Sequence, residues 1–432
     1  MKETIINLLS FLNDKLWIIV TILIFLTGLY FSIKLNGIQF NFKRMIKELT
    51  KKEDNKEGIS SFKALMLSLA GRIGVGSISG VSLAIYLGGP GTIFWIWFIS
   101  LLSSTLAYSE TYLGIKYKEK DNKVFKGGPS YYIKKGLNLP KLGSVYAIII
   151  IICYCIGFMS VQSNTITKSI TEIINIKPII IGLVLSVLVA LIIYGGVKKI
   201  ADATSKIVPI MSLLYIGLSL YIVFSNLSSI PLVFSTIIKS AFNFKSFTSG
   251  FLVTLLIGVQ RGIFSNEAGL GTGAIAASSG NSNNPVSEGY IQMIGIYITS
   301  FLICTSTAII ILTSNYNALN IIDPNGIEIA NYAFSYHLGS FGNIFLVISI
   351  FLFAFSTILS GYYYGESSLK YLIKKLSNKH INILKIITII IVFIGSITSA
   401  TIIWNFTDVT VSILAFINVY AIFKLRREIK RR

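Results

Sequence analysis

Two glycine-rich stretches decide how this chain folds: Gly71-Arg72-Ile73-Gly74-Val75-Gly76-Ser77-Ile78-Ser79-Gly80 and Arg261-Gly262-Ile263-Phe264-Ser265-Asn266-Glu267-Ala268-Gly269-Leu270-Gly271-Thr272-Gly273. Each lies inside an apolar run, at about 62–87 and 247–276, long enough to cross a bilayer, which takes about 20 helical residues. A glycine in a helix interior costs about 1 kcal/mol relative to alanine, so glycine at this density marks unwinding. Unwound backbone at membrane depth is tolerated only where protein buries it or where it lines a cavity. Interrupted helices at matching positions of two halves are the sequence signature of a secondary-transporter substrate site.

Working outward, eleven runs read as spans: roughly 16–34, 62–87, 92–114, 145–171, 178–195, 205–225, 247–276, 285–314, 340–369, 383–401 and 404–424. The fold class is therefore an all-α membrane protein of about eleven transmembrane helices. The first run, from Trp17 to Ile33, is too long for a cleavable signal and stays as a helix. Without it ten spans remain, and the two interrupted ones open each group of five. Five is odd, so the halves have opposite topology: one extra N-terminal helix precedes a five-plus-five inverted repeat with two broken helices. The expected organisation is an N-terminal helix and basic loop (1–61), a first repeat (62–225), a connection (226–246), a second repeat (247–424) and a basic tail (425–432). Within the connection, Ser229 to Phe247 is short and contains Pro231, Lys239 and Lys245, which reads as an interfacial amphipathic segment.

Composition agrees. Apolar residues make up 53% and charged residues 13% of the 432, with a mean hydropathy of +0.73; soluble domains are about 25% charged. A soluble enzyme, a disordered chain and a nucleic-acid module are excluded. The balance of 38 Lys+Arg against 18 Asp+Glu is a topology signal, because cytoplasmic loops collect Lys and Arg. Alternate connections hold 30 of the 38 and the opposite side holds 6, while Arg72 and Arg261 fall inside spans. An odd span count then places the N-terminus outside and the C-terminus in the cytoplasm. Cys153, Cys155 and Cys304 lie in apolar segments without disulfide or metal spacing. His337 and His380 fall in expected loops on opposite sides, which argues against a His-based relay. No P-loop, nucleophile elbow or HExxH occurs.

Each break exposes helix ends. Free N–H groups favour a carboxylate, and free carbonyls favour a small cation; close packing of helices is the alternative use of such glycines. Charged residues at membrane depth are functional candidates. Glu267, six residues after Arg261, reads either as its internal partner or as a ligand contact. Glu110 lies near the cytoplasmic end of its span, where a structural or gating role fits, and Asp408 near the outer end of the last span reads as solvated. Gln162, with Ser163 and Asn164, either bridges helices or binds an amino-acid ammonium or carboxylate. Ser356 and Thr357 offer hydroxyls to a hard cation or to a carbonyl one turn earlier. Tyr362 to Tyr364 form a pocket wall or an interfacial belt.

These residues together resemble the alanine or glycine:cation symporters of the amino acid–polyamine–organocation superfamily, which has the leucine-transporter fold. The resemblance rests on GRIGVGSISG (71–80), LGGPGTIFWIW (87–97), KYKEKDNKVFKGGPSYYIKKGL (116–137), VQSN (161–164), GGVKKIADATSKIVP (195–209), RGIFSNEAGLGTGAIA (261–276) and AFSTILSGYYYGE (354–366). It implies symport of a small neutral amino acid with sodium across the cell membrane. By that resemblance the substrate residues are Gly74, Gly76, Ser77, Gln162, Phe264, Ser265, Asn266 and the wall aromatic Tyr362. The sodium ligands are carbonyls of Ala70, Ile73 and Ala354 and the hydroxyl of Thr357, with Ser356 nearby. The family usually reads Gly-Thr-Gly-Asn where this chain has Gly74-Val75-Gly76-Ser77, and Trp where Tyr362 stands. Those departures bear on side-chain preference and leave room for a larger substrate such as glutamine. Two rival readings are proton coupling through Glu110 or Glu267, and a sensor that retains the fold without flux.

Overall fold

The computed structural model describes residues 2–51, 59–121, 124–243, 250–316, 326–373, 375 and 377–431. The described chain is helical apart from one two-stranded hairpin, β1 (Glu119–Asp121) with β2 (Val124–Lys126). Its helices are α1 (Lys2–Lys34), α2 (Phe42–Leu49), α3 (Ser61–Arg72), α4 (Ser79–Gly88), α5 (Thr92–Lys116), α6 (Pro129–Gly136), α7 (Pro140–Ile152), α8 (Met159–Thr171), α9 (Pro178–Ile193) and α10 (Gly196–Ser225). There follow α11 (Ile230–Ala241), α12 (Leu252–Asn266), α13 (Thr272–Ser278), α14 (Pro285–Ile296), α15 (Thr305–Leu312), α16 (Ile327–Leu338), α17 (Ser340–Leu372), α18 (Asn378–Ile397) and α19 (Ala400–Lys424).

Eight helical stretches among the described residues are long and apolar enough to span a membrane, and nine if the bent pair α3 and α4 counts as one. This is a multi-pass membrane protein. Two expected spans take other forms: α9 is helical but only 16 residues long, and 247–276 appears as α12 and α13 with an unwound segment between them. Part of the connection 226–246 and the first residues expected of that span lie outside the described residues. α7 and α8 form one continuous span through a π turn at Cys153–Phe158, and α14 and α15 through a second at Tyr297–Cys304. Such wide turns cluster at functional positions.

Helix starts follow local chemistry. The Ser60 side chain accepts the Lys63 N–H and so caps α3, and Asn284 accepts from Val286 and Ser287 ahead of α14. Proline opens α6, α7, α9 and α14, where its missing N–H has no intrahelical partner to lose. α10 begins nine residues before its expected apolar run, because its first turns are polar and Lys63 pairs with Asp202 there. In α11, Val233, Ile237 and Ala241 turn one buried face inward while Leu232 stays exposed. His337 lies in helix α16 rather than in a loop, and its ring meets Thr313 Oγ1 at 3.0 Å.

The expected basic tail is packed rather than free. Leu425 and Ile429 are buried, the Tyr108 hydroxyl donates to the Lys430 carbonyl (2.7 Å), and Lys116 pairs with Glu428 (2.8 Å). Ending the chain at Lys424 should lower the unfolding midpoint in detergent, since each buried aliphatic side chain contributes about 1.5–3 kcal/mol. An unchanged midpoint in a thermal scan would show that this packing contributes nothing.

Candidate substrate and cation site

The first break begins where α3 ends. Ile73 leaves helical geometry, Gly74 is extended (φ −108°, ψ −162°), and Val75–Ser77 makes one tight turn before α4 departs at 59° to α3. This segment is held lightly. The Val75 N–H donates to Gln162 Oε1 at 3.1 Å, and the buried Gln162 Nε2 has no hydrogen-bond partner among the described residues. The Thr357 hydroxyl lies 2.8 Å from the Ala70 carbonyl and 2.9 Å from that of Phe353. A Cβ on Gly74 would stand 2.5 Å from Thr357 Oγ1 and 3.1 Å from Gln162 Oε1, so only glycine lets the backbone approach both.

The second break is held firmly. Glu267, Gly269 and Gly271 have positive φ (55°, 84° and 91°), and α13 restarts at Thr272. Glu110 Oε2 accepts the Gly271 N–H and Asn418 Nδ2, both at 3.0 Å, and Asn418 also donates to the Gly269 carbonyl at 2.9 Å. Tyr146 donates to the Leu270 carbonyl, Thr272 to Glu267 Oε2 (2.7 Å), and the Ala268 N–H to Asn266 Oδ1 (2.9 Å). Asn266 Nδ2 reaches Ser100 Oγ at 2.8 Å. Glu110 is thus fully buried, with its role fixed on the second break rather than at the interface.

The two breaks meet. Ser77 Oγ lies 2.9 Å from Ser265 Oγ, and a Cβ on Gly76 would stand 2.8 Å from the Phe264 ring. Phe264 stacks on Phe158 at 4.7 Å and packs on Trp404 at 5.0 Å. The Thr307 hydroxyl donates to the Ser77 carbonyl (2.8 Å) and meets Tyr215 Oη (2.8 Å), while Cys304 Sγ lies 3.2 Å from Ser265 Oγ.

The buried charges are paired differently from the sequence reading. Arg261 binds Asp408 through both terminal nitrogens (3.2 and 2.6 Å) and lies over Trp404, so Glu267 is not its partner. Asp408 is not solvated; it is fully buried, and its carbonyl also accepts from Trp17 of α1. The arrangement follows from helix geometry: Glu267 lies beyond the end of α12 in a left-handed conformation, which turns its carboxylate to Thr272. Arg72 donates to the Gln292 carbonyl (2.9 Å) between Gly273 and Gly295, where any Cβ would stand 2.4 Å from the guanidinium.

These contacts gather Ala70, Gly74, Gly76, Ser77, Gln162, Phe264, Ser265 and Thr357, with Ile73 and Asn266 on the same two breaks. Ala354 is buried one turn before Thr357 on α17. Ser356 lies apart: its hydroxyl meets the Phe353 carbonyl (2.9 Å) and faces Met211 of α10. Tyr362 is fully buried beside Cys155 and Glu366. Sequence reasoning missed Asn418, Thr307, Cys304, Tyr215 and Ser100. Asn418 carried a usable signal, an amide deep in the apolar run of the last span; single hydroxyls in spans carry little.

The chain matches the model of the sodium:alanine symporter family over residues 2–432. It is 36% identical over 418 residues to the amino-acid carrier protein AlsT of Bacillus subtilis, covering 96% of this chain and 89% of the carrier. It is 37% identical over 435 residues to the probable sodium/glutamine symporter GlnT of the same organism (99% and 90% covered). Against the sodium/alanine symporter AgcS of Methanococcus maripaludis it is 33% identical over 433 residues (97% and 94% covered). The chain therefore belongs to the sodium:alanine symporter family, a family of transmembrane amino-acid transporters and not of enzymes.

Gly74→Ala should abolish amino-acid uptake while the protein still folds, whereas Gly80→Ala, where the nearest atoms lie at 3.9 Å, should transport normally. Equal uptake by the two variants in proteoliposomes would contradict the close approach at Gly74. Asp408→Ala should cost about 3–5 kcal/mol by stranding the Arg261 charge. A thermal scan showing a loss below about 1 kcal/mol, as for an exposed pair, would return Asp408 to a solvated role.

Proposed function

We propose that the protein imports a small neutral amino acid, alanine or glycine, together with sodium by alternating access. The convergence of the two breaks carries this reading: Gly74 lies against Thr357 and Gln162, and Gly76 against Phe264, with Ser77 bonded to Ser265. Backbone N–H groups of the unwound segments and the unpaired Gln162 amide suit the carboxylate of a zwitterion. Carbonyls of Ala70, Ile73 and Ala354 and the Thr357 hydroxyl suit sodium, a hard cation that takes oxygen ligands, as calcium and magnesium do. Ser77, Phe264, Ser265 and Asn266 bound the side-chain space, while Ser356 and Tyr362 lie on α17 outside the gathered residues and take no direct part. Glutamine is a second reading, favoured by the identity to a relative named as a probable sodium/glutamine symporter.

In this account α9 and the pair α12 and α13 complete ten spans in two inverted repeats, at 62–225 and 247–424, after the extra helix α1. The charge distribution supports an external N-terminus and a cytoplasmic C-terminus in the cell membrane, with 30 of the 38 basic residues on the cytoplasmic side. Amino acid and sodium each order the same break, so each raises the other's affinity.

The deciding experiment is uptake of labelled alanine into proteoliposomes with an inward sodium gradient or an equal potassium gradient. Accumulation with sodium alone supports the reading, and uptake driven by a pH gradient without sodium overturns it. Thr357→Ala should raise the sodium concentration for half-maximal uptake about tenfold, the factor that about 1.4 kcal/mol represents; wild-type sodium dependence would remove Thr357 from the cation site.

A further inference from the structure

A cavity of about 330 Å³ lies at the ends of α3 and α13 away from the breaks, within the size range of small-molecule sites. Ile59, just ahead of α3, pairs with Gly280, just past α13, so the two half-helices are tied together at this mouth. Hairpin residues Phe125 and Lys126, Lys198 in the first turn of α10, and Tyr363, Glu366 and Lys370 of α17 line the cavity. The three α17 residues stand at i, i+3 and i+7, on one helix face. Glu366 lies nine residues beyond Thr357 on the same helix, about 14 Å at 1.5 Å per residue.

The charges have both signs. Glu366 is buried and its carboxylate accepts from Lys370, while Lys126 and Lys198 bring positive charge from separate elements. Phe125 and Tyr363 supply apolar walls. Three lysines and one carboxylate line the cavity, with Lys370 on Glu366; a zwitterion uses both signs, its ammonium joining Lys370 on the carboxylate and its carboxylate meeting Lys198 and Lys126 from the other elements. All the lining elements lie at the end of the molecule that the basic loops mark as cytoplasmic.

We propose that this cavity is a second amino-acid site, a release station on the cytoplasmic side of the breaks. Glu366 holds the ammonium of the departing amino acid and Lys198, with Lys126, holds its carboxylate. The inference rests on the amino-acid transport reading above. It adds a site that shapes affinity on one face only: the station takes the substrate when the broken helices let it go, and sets the concentration at which cytoplasmic amino acid re-enters the cycle.

The test uses the full chain in right-side-out and inside-out membrane vesicles, with labelled alanine, for wild type, Glu366→Gln and Lys198→Gln. Lys198 is exposed, so its variant keeps the test open if the buried Glu366 variant does not fold. The KM for alanine entering from the cytoplasmic face should rise about tenfold in each folded variant, the weight of one hydrogen bond to a charged group. The KM at the external face should stay unchanged. Equilibrium dialysis of the purified protein in saturating sodium should find two alanine equivalents per wild-type chain and one per variant chain. One equivalent in the wild type, or KM values that move together on both faces or do not move, overturns the second site. Protection of Val197→Cys, a lining position that holds no ligand in the proposal, from a thiol reagent by inorganic phosphate instead of alanine also overturns it, in favour of an anion site. A wild type without sodium-driven uptake in either vesicle type fails earlier, at the transport reading itself.

Discussion

In a bilayer core, a backbone group that leaves a helix must find a partner inside the protein, because water is absent and each orphan costs several kcal/mol. The fold is organised around meeting that demand at two places. The second break meets it with side chains from five elements: Glu110, Asn418, Tyr146, Thr272 and Asn266 hold the segment between Asn266 and Thr272. The first break meets it only in part, with Gln162 on the Val75 N–H and an unpaired amide beside it. In the proposed function the second segment serves as the frame and the first is the one that ligands complete.

This asymmetry gives coupling a physical form. In the proposed site a cation on the Ala70 and Thr357 oxygens and a carboxylate on the Val75 side would order the same few residues, so that whichever binds first lowers the ordering cost for the second. The surrounding charges keep the frame in place. Arg72 ties α3 to α14, and the Arg261–Asp408 pair ties α12 to α19, with Trp17 of α1 bonded to the Asp408 carbonyl. A buried ion pair such as Arg261–Asp408 contributes little net stability, but removing one of its partners is costly.

The breaks themselves were legible, because glycine at this density in two apolar runs at matching positions favours unwinding over close helix packing. Most of the long spans were legible for the same reason, hydropathy over about 20 residues. What escaped was pairing across long sequence separation. Arg261 finds Asp408 through helix packing, 147 residues away, whereas linear proximity pointed to Glu267. Thr307 and Cys304 sit in a span whose π turn redirects one face toward Ser77 and Ser265, and no periodicity announces a π turn. The tail read only as a basic segment, because its charges outnumber the two side chains that anchor it, Leu425 and Ile429.

The central claim is that amino acid and sodium complete one incompletely satisfied break. The most direct measurement is a pair of binding titrations on the purified protein: alanine affinity across a range of sodium concentrations, and sodium affinity across a range of alanine concentrations. The account predicts that each ligand raises the affinity of the other by the same factor, as linkage requires of a shared element. Alanine affinity that is independent of sodium would contradict it.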